Sequence, residues 1–249
     1  MRMVAVVLAG GSGQRFGAGV PKQLLELDGQ TLLTHCVAAF DAAPGVDEVL
    51  VVMPPGRTAD AEKLRADGAY PKLTAVIEGG TSRPGSTRAA ISAISARRAA
   101  APDNGDRDGD RDADWGVLFH DAARPLVDQR IIADCVAALE RVDALGVAVP
   151  TADTIVVVAD GVMTQIPRRD SLLRCQTPQA FRLSVIARAH ELALADPDYE
   201  PTDDCGVVLR YLPDVPVHVV QGSERNLKIT YPRDLAIARV LLDEEQNRP

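Results

Sequence analysis

A glycine-rich turn close to the N-terminus constrains this chain more than any other feature. Residues 4–25 read VAVVLAGGSGQRFGAGVPKQLL, a valine-rich apolar run followed by glycines and then by basic residues. An apolar run of this kind is typical of a strand buried on both faces of a parallel sheet. The glycines allow backbone N–H groups to approach phosphate oxygens without interference from a Cβ atom. Because Arg15 and Lys22 add positive charge nearby, the segment predicts a polyphosphate site.

Three known glycine motifs do not fit this turn. The P-loop needs a Lys-Ser or Lys-Thr pair after its glycines, and none follows here. The dinucleotide fingerprint needs a third glycine where Phe16 stands, and a kinase lid lies in a hairpin. The remaining alternative is a plain strand-to-helix turn with incidental basic residues. The positions of Arg15 and of Pro21-Lys22-Gln23 favour phosphate binding over that alternative.

Strand and helix patterns alternate along the rest of the chain. Further strands are predicted at 49–53, 73–77, 115–119, 147–149 and 217–220. Helices are predicted at 31–40, 57–66, 128–142, 184–195, 204–211 and 232–242, with a long alanine-rich helix ending near 100. This order predicts an α/β fold with a Rossmann-like, mostly parallel sheet flanked by helices. Residues 1–249 are expected to form one domain.

Two segments interrupt this alternation. Residues 101–114 (APDNGDRDGDRDAD) predict a flexible acidic insertion, with an acidic lid over a site as the alternative. Residues 151–176 predict a projecting β-arm, in which strands at 154–159 and 162–166 flank an Asp-Gly turn. The apolar residues of such an arm need a partner that covers them.

Composition excludes several classes of protein. The formal net charge of −8 argues against a general nucleic-acid binder, and no apolar run is long enough to span a membrane. The four cysteines have no C-x-x-C spacing, and the four histidines form no metal-ligand pattern. Because the first strand begins almost at Met1, no targeting peptide is expected, and the predicted location is cytoplasmic.

Two more motifs follow predicted strands. HDAARP, at 120–125, places Asp121 at the carboxyl end of a strand, where open α/β sheets bind ligands. Its alternative role is to cap the following turn. Gly79-Gly80, followed by Ser86, would allow a flat nucleotide base to approach closely. The alternative role of this stretch is structural, with Ser82 as the N-cap of the helix that follows. Both roles of this second motif can hold together.

A-G-G-x-G-x-R followed by P-K-Q resembles the signature loop of the sugar-nucleotide pyrophosphorylase and cytidylyltransferase superfamily. Within it, the chain most resembles the 2-C-methyl-D-erythritol 4-phosphate cytidylyltransferase family. The resemblance implies transfer of a cytidylyl group from CTP to that polyol phosphate, with release of pyrophosphate, in the non-mevalonate isoprenoid pathway. It implies Mg²⁺ or another divalent cation, held mainly by CTP phosphates with Asp121 as the candidate protein ligand. It also implies a homodimer formed through the β-arm.

The resemblance assigns roles to individual residues. Catalysis is assigned to Arg15, Lys22, Arg169 and Lys228. Nucleotide binding is assigned to Ala9, Gly10, Gly11, Gly13, Gly80, Ser86 and Asp121, and acceptor binding to Thr154, Arg169 and Thr177. The choice of Arg169 over its neighbour Arg168 rests only on counting back from Thr177-Pro178-Gln179.

The expected reaction needs positive charge more than it needs a general base. A phosphate monoester is mostly a dianion at neutral pH, since its second pKa is about 6. Preorganised cations and backbone N–H groups can stabilise the transferring phosphoryl group and the leaving pyrophosphate. Two alternatives remain, namely a sister enzyme acting on ribitol 5-phosphate and a catalytically silent nucleotide-binding regulator. A nicotinamide oxidoreductase is disfavoured by the missing third glycine.

Overall fold

The computed structural model describes residues 1–10, 21–101, 114–196, 198–199 and 201–246. The strands are β1 (Met3–Leu8), β2 (Glu26–Leu27), β3 (Gln30–Thr31), β4 (Glu48–Met53), β5 (Leu73–Glu78), β6 (Gly116–Asp121), β7 (Ala144–Pro150), β8 (Val157–Ala159), β9 (Val162–Gln165), β10 (Leu173–Arg182) and β11 (Val217–Gln221). The helices are α1 (Leu32–Asp41), α2 (Ala59–Ala66), α3 (Arg83–Ala100), α4 (Gln129–Leu139), α5 (Leu183–Leu194), α6 (Asp204–Tyr211) and α7 (Pro232–Gln246). Short 3₁₀ turns occur at Lys22–Leu24 and Arg169–Ser171.

Seven strands form one sheet in the order β11–β7–β10–β6–β1–β4–β5. Neighbours are parallel except at β10, which is antiparallel to both β6 and β7. Every residue of β1 is buried, as the valine-rich run predicted. One apolar cluster joins the sheet to α1, α2 and α4, and another joins it to α3, α5 and α6. The predicted α/β fold, with a mostly parallel sheet flanked by helices, is therefore confirmed.

Strand β10, the longest strand of the sheet, was not predicted from the sequence. Its buried half contains Gln176, Thr177, Gln179 and Arg182, so it lacks the apolar pattern expected of an internal strand. Its first residues, 173–176, were assigned to the β-arm, but Leu173 to Cys175 pair with β7 in the central sheet. The small antiparallel pair of β2 and β3 was also missed.

The predicted acidic insertion has a different C-terminal boundary from the one expected. Asp114 was assigned to this solvated segment, but it is buried and accepts hydrogen bonds from Ser184 N and Oγ at 3.1 and 2.6 Å. Asp114 therefore belongs to the folded domain, because its hydrogen bonds to Ser184 hold the first turn of α5 in place. Residues 102–113 lie outside the described part of the chain.

The predicted Asp-Gly hairpin is present as β8 and β9. Asp160 and Gly161 have φ values of 50° and 77°, as a type I′ turn requires. All residues of both strands are exposed, and these include Val158, Val162 and Met163. None of the helices in the described ranges is long and apolar enough to cross a membrane.

Candidate active site

The carboxyl ends of four neighbouring strands, β6, β1, β4 and β5, meet at one edge of the sheet. Ala9 N donates to Val52 O at 2.8 Å, and Ala122 N donates to Leu8 O at 3.0 Å. Gly79 N donates to Met53 O at 2.8 Å. The segments that follow β1, β5 and β6 are therefore adjacent, as expected for a ligand-binding edge of an open α/β sheet. The N–H of Ala9 is used inside the sheet, and the predicted contact of Ala9 with the nucleotide stays a prediction.

Glycine is required where these segments touch the start of α3. A Cβ on Gly79 would lie 2.5 Å from Ser86 Oγ, and one on Gly80 would lie 2.8 Å from Gly85 Cα. A Cβ on Gly10 would lie 3.0 Å from the same Ser86 oxygen. The structure thus brings together Gly10, Gly80 and Ser86, three predicted nucleotide-binding residues. Gly11, Gly13 and Arg15 lie outside the described residues.

Ser86 is buried and supports the local turn. Its hydroxyl lies 3.1 Å from Ser82 O and 3.4 Å from Gly80 O. Ser82 is the N-cap of α3, because its hydroxyl oxygen accepts from Gly85 N at 3.2 Å. The structural role predicted for this stretch is confirmed, and its contact with the nucleotide remains a prediction.

Asp121 and Lys228 form an ion pair at the same edge. Lys228 Nζ donates to Asp121 Oδ2 at 2.6 Å, and Arg83 Nε lies 4.0 Å from Oδ1. Burial raises the pKa of Asp121, but the charges of Lys228 and Arg83 outweigh burial and lower that pKa to about 2. Asp121 is therefore ionised at neutral pH, beside two fixed cations.

Arg83 also reaches a second carboxylate that the sequence analysis missed. Its Nη2 lies 3.0 Å from Asp204 Oδ2, and Asp204 is fully buried. His190 Nε2 lies 3.2 Å from the other carboxylate oxygen. Burial lowers the pKa of Arg83, but Asp204 and Asp121 outweigh burial and raise it. One local feature could have indicated the contact between Arg83 and Asp204, namely the adjacent pair Asp203-Asp204. Asp203 caps α6 by accepting a hydrogen bond from Gly206 N at 2.9 Å, so Asp204 can have another partner.

His120 and Thr177 form a chain of hydrogen bonds that ends at the backbone N–H of Asp121. Burial lowers the pKa of His120 to about 4, so the ring is neutral at neutral pH. Its Nε2 lies 3.0 Å from Arg124 O, and a carbonyl can only accept, so Nε2 carries the proton. Nδ1 then accepts from the Thr177 hydroxyl at 3.0 Å, and that hydroxyl oxygen accepts from Asp121 N at 3.1 Å. Thr177 is buried in β10 beside Asp121, and its predicted contact with the acceptor stays a prediction.

The arm brings two predicted acceptor-binding residues together. Arg169 Nη2 donates to Thr154 Oγ1 at 2.9 Å, and both side chains are exposed. Arg168 instead forms an exposed ion pair with Asp170. Arg169, and not Arg168, therefore lies beside Thr154, and its contact with the acceptor stays a prediction. Lys22 lies in the 3₁₀ turn that follows the glycine-rich segment.

Comparison with known proteins shows the family of this chain. The family model described as 2-C-methyl-D-erythritol 4-phosphate cytidylyltransferase matches residues 3–244. The chain belongs to this family. A cytidylyltransferase of that name from Thermobifida fusca is 50% identical over 246 residues, which cover 97% of this chain and 93% of the relative.

Two further matches show how the cytidylyltransferase fold is used elsewhere. The crystal structure of 2-C-methyl-D-erythritol 4-phosphate cytidylyltransferase from Thermus thermophilus is 29% identical, with a TM-score of 0.68 over 96% of this chain and 98% of that one. A Haemophilus influenzae protein named bifunctional ribulose 5-phosphate reductase/CDP-ribitol pyrophosphorylase is 35% identical over 98% of this chain, which spans 49% of that relative.

Proposed function

We infer that this chain transfers the cytidylyl group of CTP to 2-C-methyl-D-erythritol 4-phosphate. The products are 4-diphosphocytidyl-2-C-methyl-D-erythritol and pyrophosphate, in the non-mevalonate route to isoprenoid precursors. The observation that carries this inference is the family match across 3–244, supported by a relative of that name that is 50% identical. The cationic edge around Asp121 is the kind of site that such a transfer requires.

The chemistry is a displacement at phosphorus. An oxygen of the acceptor phosphate attacks the α-phosphorus of CTP, the bond to the bridging oxygen breaks, and pyrophosphate leaves with that electron pair. The acceptor is mostly a dianion at neutral pH, since its second pKa is about 6, so no proton need be removed. His120 is no candidate base, because it is buried and both its ring nitrogens are hydrogen-bonded.

Fixed positive charge is what this chain contributes to the transfer. Lys228 is held by Asp121 but its side chain is 43% exposed, so it can also contact a bound phosphate. We propose that Lys228 acts together with Arg15 and Lys22 on the triphosphate. Cations that are oriented before the reaction stabilise the developing charge without reorganisation in the transition state.

A divalent cation fits the site. Mg²⁺ prefers oxygen ligands, keeps several waters and is usually held through substrate phosphates with one or two carboxylates. Asp121 is an ionised carboxylate at the edge, and no group of three candidate ligands occurs among the described residues. We therefore propose that CTP phosphates hold most of the ion and Asp121 supplies the protein ligand. When bound, Mg²⁺ would neutralise part of the triphosphate charge.

The arm supports a homodimer as part of this proposal. Val158, Val162, Met163 and Ile166 are 54 to 69% exposed, and an apolar surface of this kind is typical of an interface. A two-fold dimer would cover these residues and bring Arg169 and Thr154 of one subunit to the acceptor site of the other. The cytoplasmic location and the absence of a nucleic-acid partner stay predictions.

The acceptor is tested by measuring pyrophosphate release from CTP with each polyol phosphate. We expect 2-C-methyl-D-erythritol 4-phosphate to give the higher kcat/KM. Faster turnover of ribitol 5-phosphate would favour the sister activity, which the similarity to the Haemophilus influenzae protein makes the second candidate. No pyrophosphate with either acceptor would favour the silent regulator.

A further inference from the structure

We propose that Asn226 is a positioning residue that sets Lys228 against Asp121 for the transfer. The two ion-pair partners are 107 positions apart in the chain. Asp121 belongs to the HDAARP segment, whereas Lys228 lies in the 222–230 segment that follows β11. Some contact must fix these segments relative to each other, and Asn226 lies where both meet β10. The inference rests on the proposed cytidylyl transfer, through the role of Lys228.

Asn226 is completely buried and contacts β10 through its side chain. Nδ2 donates to Thr177 O at 2.7 Å and to Gln176 Oε1 at 3.3 Å. The backbone carbonyl oxygen of Asn226 accepts from Arg124 Nη1 at 2.8 Å, and Arg124 Nη2 donates to Cys175 O at 3.3 Å. One residue therefore joins β10, the HDAARP segment and the segment that carries Lys228.

The orientation of the Asn226 amide follows from its neighbours. Gln176 pairs with the backbone of Ser223: its Nε2 donates to Ser223 O at 2.8 Å, and its Oε1 accepts from Ser223 N at 3.3 Å. Gln176 thus presents an oxygen towards Asn226, as the Thr177 carbonyl also does. Two acceptors require two donors, so the NH₂ group of Asn226 must face them. Neither aspartate nor alanine could supply this pair of hydrogen bonds.

Both halves of the ion pair depend on this contact. The carbonyl of Thr177 is held by Asn226, while the hydroxyl of the same residue accepts from Asp121 N. Lys228 is two residues beyond Asn226, and Thr230 Oγ1 contacts its carbonyl at 3.3 Å. Loss of the Asn226 amide would therefore change the position of Lys228 relative to Asp121.

The segment has a second attachment that should keep an Asn226 variant folded. Ile229 is fully buried in a cluster with Leu27, Leu126 and Ala238. Ile229 N also donates to Ala123 O at 2.8 Å. We therefore expect Asn226→Ala to leave the segment attached but Lys228 imprecisely oriented.

A double-mutant cycle with Lys228 tests the proposal. Asn226→Ala should lower kcat/KM by up to about 100-fold, since small misplacements of catalytic groups can have effects of that size. In a Lys228→Ala background, Asn226→Ala should cause almost no further loss, because the group that it positions is gone. Asn226→Asp, which keeps the volume but not the donors, should be at least as harmful as Asn226→Ala.

Losses that multiply in the double variant would overturn the proposal, and so would near-normal turnover of Asn226→Ala. If Asn226→Ala does not fold, Gln176→Ala takes its place in the same cycle, because it removes one of the two β10 acceptors of the Asn226 amide. Glu224→Gln is the control, since it alters the same segment only at an exposed ion pair with Arg174. A wild-type protein that released no pyrophosphate would refute the proposed function instead, before any variant was compared.

Discussion

Lys228 and Arg169 are both cations predicted to act on phosphate, yet the chain holds them in very different ways. Lys228 lies 2.6 Å from an ionised Asp121, in a segment attached to β10 and to the HDAARP motif by buried hydrogen bonds. The side chain of Arg169 has a single hydrogen bond within the described residues, to the exposed hydroxyl of Thr154. This chain by itself therefore holds Lys228 at the sheet edge, whereas the arm leaves Arg169 exposed.

The difference predicts which part of the site would need a partner. Buried charges and hydrogen bonds act in a low dielectric and hold their geometry, so the edge can be preorganised in a monomer. Exposed ion pairs contribute little to the stability of a fold, typically about 0 to 1 kcal/mol. Arg169 would gain a fixed position only if a second subunit covered the arm. Three experiments can test this contrast.

The largest effect is expected at the edge. Lys228→Ala should lower turnover by about 100- to 1000-fold, because it removes one preorganised charge from the transition state. Lys22→Ala and Arg15→Ala are predicted to fall in the same range for the same reason. Turnover is measured as pyrophosphate release, with circular dichroism to verify folding.

Lys63→Ala is the matched control for these variants, since Lys63 is exposed and lies 3.9 Å from Asp60 on α2. Near-normal turnover of a folded Lys228→Ala protein would contradict the role of the ion pair in the transfer.

A smaller effect is expected when two inactive variants are mixed. Arg169→Ala and Lys22→Ala subunits should together recover about a quarter of wild-type activity, since random exchange makes half of the dimers mixed and half of their sites intact. This holds only if Arg169 acts across the interface.

Subunit exchange must be followed separately, for example by a mass tag on one variant. Exchange without recovery would mean that Arg169 acts within its own subunit. A protein that stays monomeric at micromolar concentration would remove the reason for the exposed apolar arm.

The smallest effect is a loss of stability at acid pH, and it is expected at the sheet edge and not in the arm. His120 has a pKa of about 4 in the folded protein, below its ordinary value of 6.5, because it is buried. The unfolded state therefore binds more protons between these values, and the free energy of unfolding should fall as pH drops from 6.5 to 4, by about 3 kcal/mol at most. Denaturant titration at several pH values measures this slope.

His120→Gln should flatten that slope, because glutamine cannot take up a proton while its amide can still donate to Arg124 O. An unchanged slope in this variant would assign the acid sensitivity to other groups. The Arg168–Asp170 pair of the arm is fully exposed and is expected to contribute nothing measurable.

Much of the fold was predictable because its signals are local. A valine-rich run, an Asp-Gly turn and a Ser82 N-cap each depend on neighbouring residues, and the structure contains all three. The same is true of Asp121, which had to lie at the ligand edge once β6 was recognised. The sequence by itself thus determined the parallel strands of the sheet, the edge at which Asp121 lies and the family.

What only the tertiary structure decided depends on residues far apart in the chain. β10 was not recognisable, because buried polar residues such as Gln176 and Gln179 obtain their partners from distant segments. The role of Arg83 follows only from its contact with Asp204, and that of Asn226 only from its contact with Thr177. A buried polar side chain is stable only when its partners are present, and no local pattern records where those partners come from.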